Sequence, residues 1–365
     1  MKTKTFLGCI ILLNIALSNY GQYVFKDEIK IPCTEVKNQQ VTGTCWCYSA
    51  ISFLESEIIR LRNNYIDLSE MYIVRMSYLD KAQNYILRQG KANFSDGGLA
   101  HDVLKTVSMH GFIPQEFYTG LGPGDDSLDH REFYATLNAF LDAVIHVGNP
   151  GNHWNNAFIG ILDAYMGPSP LTFKYNESNY DPMTFKEAMR IKFEDYVNIT
   201  SFAHHPFNKY FVLEIPDNNM NESYFNVNLN EMIMIVDFAL EKGNSLIWDG
   251  DISEKGFSQK KGIAILPLDL SKDSLFNKPD NEVLVNQDNR QKNFLNYNTM
   301  DDHLMHIVGR AKDQNDNIYY IIKNSWGEKG PYKGYLYMSK AYLMMKTISI
   351  TLHKEALSKE INKKL

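Results

Sequence analysis

The stretch Gln39-Gln40-Val41-Thr42-Gly43-Thr44-Cys45-Trp46 opens directly onto a helical pattern. From Cys45 to Arg62 the apolar residues Ala50, Leu54, Ile58 and Leu61 recur at helical spacing, with Glu55, Glu57, Arg60 and Arg62 between them. Thr44 stands where an N-cap belongs, so Cys45 falls in the first helical turn. A thiol is a nucleophile only as thiolate, and a helix N-terminus favours that form through its dipole and its unpaired backbone N–H groups. Attack on a carbonyl also creates an oxyanion. The backbone N–H of Cys45 and the side-chain amide of Gln39, brought back across a turn at Gly43, are the expected donors for it. The plain alternative is a structural cysteine beside a core tryptophan, and the Gln and Gly at these offsets argue against it.

Two later segments supply partners. In Asp302-His303-Leu304-Met305-His306-Ile307-Val308-Gly309, His303 opens a β-rich run, a position that projects an imidazole into a groove. His306 is expected to face away and pack within the strand. In Lys323-Asn324-Ser325-Trp326-Gly327, the Asn324 carbonyl is expected to accept the Nδ1–H of His303 and fix its tautomer. Trp326 is placed to cover that bond and exclude water. The order is Cys, His, Asn, with the nucleophile on a helix and its partners on strands.

Around these segments, helices are expected over Ser69 to Gln89, Leu99 to His110 and Leu229 to Lys242, and residues 127 to about 230 look helical in patches. From Ser245 onward short β runs dominate, with Asn315-Asp316-Asn317 reading as a hairpin turn.

The Gln39–Trp46 block, Asp302-His303 with Gly309 beyond it, and Asn324-Ser325-Trp326-Gly327 resemble the three active-site blocks of the papain-like cysteine peptidase superfamily. Thr42 stands where papain carries a further cysteine. Cys45 and His303 are 258 positions apart, against about 130–150 in usual papain-like chains. Both departures resemble the bleomycin hydrolase and bacterial aminopeptidase C branch, as do Arg75-Met76-Ser77-Tyr78-Leu79, Ser95-Asp96-Gly97-Gly98 and Asp249 through Phe257.

That resemblance implies an α+β, two-lobed fold. A helical lobe would occupy about 40–125, a helical insertion about 126–230 and a strand-rich, barrel-like lobe about 240–352, with a tail over 353–365. It implies a thiol aminopeptidase acting on peptides through Cys45, His303, Asn324 and Gln39 and an acyl-enzyme, in the cleft between lobes. Gly97 and Gly98 match the loop that pairs with the substrate backbone, and Trp326 belongs to the same binding surface. In the branch the chain's own C-terminus lies in the cleft, which makes the Leu365 carboxylate the expected acceptor of the substrate's α-amine. The branch lacks a papain-type inhibitory prosegment, and Gln22 to Thr44 is too short to form one. Family members are self-compartmentalised, which leaves a homo-oligomer open.

Lys2 and Lys4, the apolar run Phe6 to Leu17, and the small residues Ser18 and Gly21 have the shape of a secretory signal peptide over residues 1–21. Cleavage after Gly21, leaving Gln22, or after Ser18 is expected, followed by export to the periplasm or the exterior. Cys9 lies too early in the run for lipid attachment. No later stretch reaches the length of a membrane span, and the mature protein is expected to be soluble. The remaining Cys33, Cys45 and Cys47 are odd in number, so at least one thiol stays unpaired. A net charge of −6 offers no overall field for nucleic acid or anionic membrane.

No His-Glu-x-x-His run occurs, and His204-His205 is read as a surface pair without a Cys or carboxylate neighbour, so neither metal nor cofactor is expected. Two other functions stay open: an endopeptidase or other amide hydrolase on the same scaffold, and a binding protein that kept the fold without the chemistry. The intact Gln39, Cys45, His303 and Asn324 set argues against the last.

Overall fold

In a computed structural model, residues 23–271 and 275–365 are described. The apolar leader and the Gly21–Gln22 junction lie outside them. A first strand, β1 (Lys26–Lys30), precedes three helices: α1 (Cys45–Arg62), α2 (Glu70–Leu87) and α3 (Ala100–His110). Helix α1 spans the expected residues, but it is buried on every side from Trp46 to Ile59, Glu55 and Glu57 included, and not on one periodic face alone. Ser69 caps α2 by accepting from the Tyr72 amide at 3.0 Å, and Gly111 ends α3. Next come α4 (Arg131–His146), α5 (Trp154–Met166), a hairpin of β2 (Phe173–Tyr175) and β3 (Ser178–Tyr180), and α6 (Pro182–Met189). Their apolar faces and those of α1–α3 share one core, with Trp46, Phe53, Tyr78, Phe133 and Phe158 at its centre.

The expectation of helix up to about residue 230 is corrected here. Beyond Met189 the chain turns extended, in β4 (Tyr196–Thr200), β5 (Lys209–Val212) and β6 (Ser223–Asn226), before α7 (Leu229–Glu241). These strands are claimed by the main sheet: Ile199 of β4 sits opposite Ile350, far along the chain. The rest is β7 (Leu246–Gly250), β8 (Phe257–Ser258), β9 (Ile263–Ala264), α8 (Gln287–Leu295), β10 (His303–Lys312), β11 (Ile318–Lys323), β12 (Tyr335–Ser339), α9 (Lys340–Lys346), β13 (Thr347–His353) and α10 (Lys359–Asn362). The sheet order is β5-β6-β4-β13-β7-β10-β11-β12-β9-β8, with β1 also on β10.

Strand alternation gives this sheet two faces. Ile247 and Leu304 point into the α1 core, whereas Trp248, Met305 and Ile307 point into a second core with α7, α9 and the C-terminal residues. Helix α1 therefore lies against one face of β10, with α7 behind the other. No helix among the described residues is long and apolar enough to cross a membrane.

Between the lobes Lys37 Nζ meets Glu55 at 3.1 Å, Glu70 at 2.6 Å and the Leu68 carbonyl at 2.9 Å. Glu55 and Glu70 are 1% and 2% exposed. Removing the cation that bonds both leaves two buried carboxylates undercompensated. Lys37→Met is expected to lower unfolding stability by about 3–5 kcal/mol, read from urea denaturation; a loss under about 1 kcal/mol would mean water carries those charges.

Candidate active site

Cys45 is the first residue of α1. Thr44 occupies the N-cap position, but its hydroxyl bonds the Thr42 hydroxyl at 2.5 Å and not the helix amides. As the first residue of the helix, Cys45 has no intrahelical partner for its N–H. Trp46 is fully buried and donates Nε1–H to the Asp96 carbonyl at 2.9 Å, anchoring the helix start. Gly43 is needed in this turn because a Cβ there would stand 2.1 Å from Asp96 Oδ2.

His303 is the first residue of β10, and Asn324 follows the end of β11. His303 Nε2 lies 2.8 Å from Asn324 Oδ1. That oxygen also accepts the Ser325 amide at 2.7 Å, and Asn324 Nδ2 donates to Gln259 Oε1 at 2.9 Å. The amide orientation is thereby set, and the proton of the histidine bond sits on Nε2. The expected use of Nδ1 for this bond is corrected: with the ring lying 4.9 Å from the Trp326 ring at 36°, Nε2 is the nitrogen turned toward Asn324. Nδ1 is left free for a thiol. The amide of the next residue, Leu304, donates toward the Cys45 sulfur, which puts helix start and strand start side by side.

Gln39 is held from both lobes. Its amide donates to the Ser325 carbonyl at 2.8 Å, its Oε1 accepts from Ser325 Oγ at 2.6 Å, and Nε2 donates to the Thr42 carbonyl at 2.8 Å. One Nε2 hydrogen remains unused.

Burial pushes the Cys45 thiol up to about 12, with the Leu304 amide opposing it. Burial also pulls the His303 imidazole down to about 4, against the Asn324 bond. Neither charge is stable there singly, so thiol and imidazole ionise together, by passing one proton between them.

Gly98 lies under Trp46, where a Cβ would be 2.9 Å from the ring, and Gly97 lies under the Asp217 carboxylate. His306 is fully buried between Ser52, at 2.9 Å from Nδ1, and the edge of Phe53. Leu365 departs from expectation. It packs in the second core, beside the Lys364–Glu231 ion pair on α7, behind the sheet from Cys45. The tail's apolar residues Leu357 and Ile361 draw it there.

A further correction concerns His204 and His205. Both do have a carboxylate neighbour: Glu214 accepts from them at 3.2 and 2.7 Å, because β5 returns the chain beside the pair. The three donor atoms lie within 4.8 Å of one another, a set able to hold a cation. Cys33, Cys45 and Cys47 are all free thiols. Gln259, which fixes Asn324, had no recognisable signal: it is a polar residue in a polar stretch, distant along the chain.

A helical lobe and a sheet lobe meeting where a helix-start cysteine faces a histidine–asparagine pair is the architecture of a papain-like cysteine peptidase. The papain family cysteine protease pattern matches residues 25–124. The Peptidase C1-like family pattern matches residues 161–365, more than half of the chain, and the protein belongs to that family of cysteine peptidases. Aminopeptidase G of Lactobacillus delbrueckii subsp. lactis is 23% identical over 92% of this chain and 84% of its own length. Aminopeptidase C of the same organism is 23% identical over 92% of this chain and 83% of its own. Among solved structures, PepW from Lactobacillus rhamnosis HN001 superimposes with a TM-score of 0.74 at 18% identity, covering 93% of this chain and 84% of that one.

Proposed function

We propose that the protein is an exported thiol aminopeptidase. The observation that carries the chemistry is the His303 Nε2–Asn324 Oδ1 bond beside the helix-start thiol, which leaves Nδ1 to take a proton. Cys45 Sγ attacks the scissile carbonyl carbon as its proton passes to Nδ1 of His303. The oxyanion is received by the Cys45 N–H and the unused hydrogen of Gln39 Nε2. His303 returns the proton to the leaving amine, the C–N bond breaks, and a thioester forms on Cys45. Water activated by His303 then releases the acid. Asn324 orients the ring, and Trp326 shields their hydrogen bond.

Exopeptidase action is supported by similarity to aminopeptidases G and C along nearly the whole chain. Export is supported by the basic start and apolar run of residues 1–21. The test is hydrolysis of an unblocked peptide beside its N-acetylated twin. The free-amine peptide is expected to be cut at its first bond and the acetylated one spared. Equal turnover, with internal cuts, would make the enzyme an endopeptidase.

A further inference from the structure

An aminopeptidase needs an anion near its nucleophile, because a free α-amine with a pKa of about 7.7–8.0 is largely cationic at neutral pH. Leu365 lies behind the sheet from Cys45, whereas other carboxyls lie on the cleft side.

The loop between β5 and β6 crosses from one lobe to the other. On the helical side, Asp217 accepts hydrogen bonds from Ser95 Oγ at 3.1 Å and Asn93 Nδ2 at 3.2 Å. Its carboxylate covers Gly97, where a Cβ would stand 2.2 Å from Oδ2. Lys81, the cation that offsets Asp217, is engaged by the carbonyls of Ser95 and Gly97. On the sheet side, Glu214, Ile215 and Pro216 face Thr299 to Asp302 across a cavity of about 450 Å³. That segment runs straight into His303.

Two carboxyls on the sheet side, Asp249 and Asp301, face each other. Asp249 is 2% exposed and stands opposite Leu304 in the β7–β10 register. Its Oδ2 accepts from Ser349 at 3.1 Å, while its side chain, sealed from solvent at Oδ1, also meets the Asp301 carboxyl. Asp301, which lines the cavity and is sealed at Oδ2, bonds Asp249 through a shared proton, and burial beside that carboxyl pushes it well up. Two buried carboxyls that must share a proton because no cation among the described residues bonds either of them mark a place that a cation would fill. The charges of Asp301 and Asp217 are both felt at the Cys45 thiol, and Asp249 joins them through its bond to Asp301.

We propose that Asp217, Asp249 and Asp301 form the subsite that receives the protonated α-amino group of the substrate, with the β5–β6 loop closing the cleft beyond it. This rests on the aminopeptidase reading above. Asp217 fills the space over Gly97 that a preceding substrate residue would need, so the first residue's ammonium ends among the carboxylates. A methylated or acetylated nitrogen brings bulk or loses charge at that point.

The test compares kcat/KM for an aminoacyl amide and its N-acetyl twin in the full chain and in Asp301→Asn and Asp217→Asn. In each variant the free-to-acetylated ratio is expected to fall about 10²-fold, with the loss in KM. A wild-type preference that survives both substitutions would overturn the subsite and leave the aminopeptidase reading standing. No preference in the wild type would overturn both. Asp217 lies on a partly exposed loop, so Asp217→Asn decides the matter alone if Asp301→Asn does not fold.

Discussion

Cys45→Ala is expected to lower kcat/KM by about 10⁵–10⁶-fold while the thermal midpoint stays within a few degrees. Without Sγ no acyl-enzyme forms, and what remains is binding plus the oxyanion donors. The fold should tolerate the change because the anchoring of this turn lies in its neighbours. Trp46 is held by the Asp96 carbonyl, and Gly43 and Gly98 are packed under carboxylate and ring. Cys47 supplies the contrast. It is fully buried and donates to the Glu70 carbonyl at 3.3 Å, so Cys47→Ala should cost stability and spare turnover. Loss of activity in Cys47→Ala with retention in Cys45→Ala would contradict the assignment.

His303→Ala is expected to cost on the order of 10⁵-fold in kcat, and Asn324→Ala about 10–10²-fold. In the proposed mechanism the imidazole moves the proton, whereas Asn324 only sets its tautomer and orientation, a role shared with Trp326 packed against the ring. The same geometry fixes the acid limb of the rate profile. Burial disfavours the imidazolium, so His303 stays neutral and competent until pH falls to about 4. Activity is therefore present above that value and lost as pH drops through it, well below the range of an exposed histidine. An acid limb at pH 6.5, or an Asn324→Ala defect as large as that of His303→Ala, would contradict these roles.

What the sequence made legible is local. The α1 boundaries follow from its apolar period and from the Gly43-Thr44 turn before Cys45. The strands β10, β11 and β12 follow from dense runs of branched and aromatic residues bracketed by turn residues. What it hid depends on partners far along the chain. Tyr196-Val197-Asn198-Ile199-Thr200 is a strand because β13 and β6 lie on either side of it. No residue near it announces that pairing.

The site divides in the same way. Cys45, His303, Asn324 and Gln39 each stand in a motif with local offsets, which is why the sequence offers them as candidates. The ring nitrogen that His303 offers to Asn324 is set by packing against Trp326, which no spacing encodes. Asp217 sits in Ile215-Pro216-Asp217-Asn218-Asn219, a stretch that reads as an ordinary turn; only the fold sets it over Gly97. Leu365 was placed by analogy, and the apolar side chains of its own tail take it to the other side of the sheet.

The most direct test of the central claim is alkylation by dilute iodoacetamide near neutral pH, followed over time by peptide mapping in a mass spectrometer alongside residual activity. Label is expected on Cys45 first, with activity falling in step and with Cys33 and Cys47 unmodified. Loss of activity in step with label on Cys47 or Cys33, while Cys45 stays free, would contradict the account.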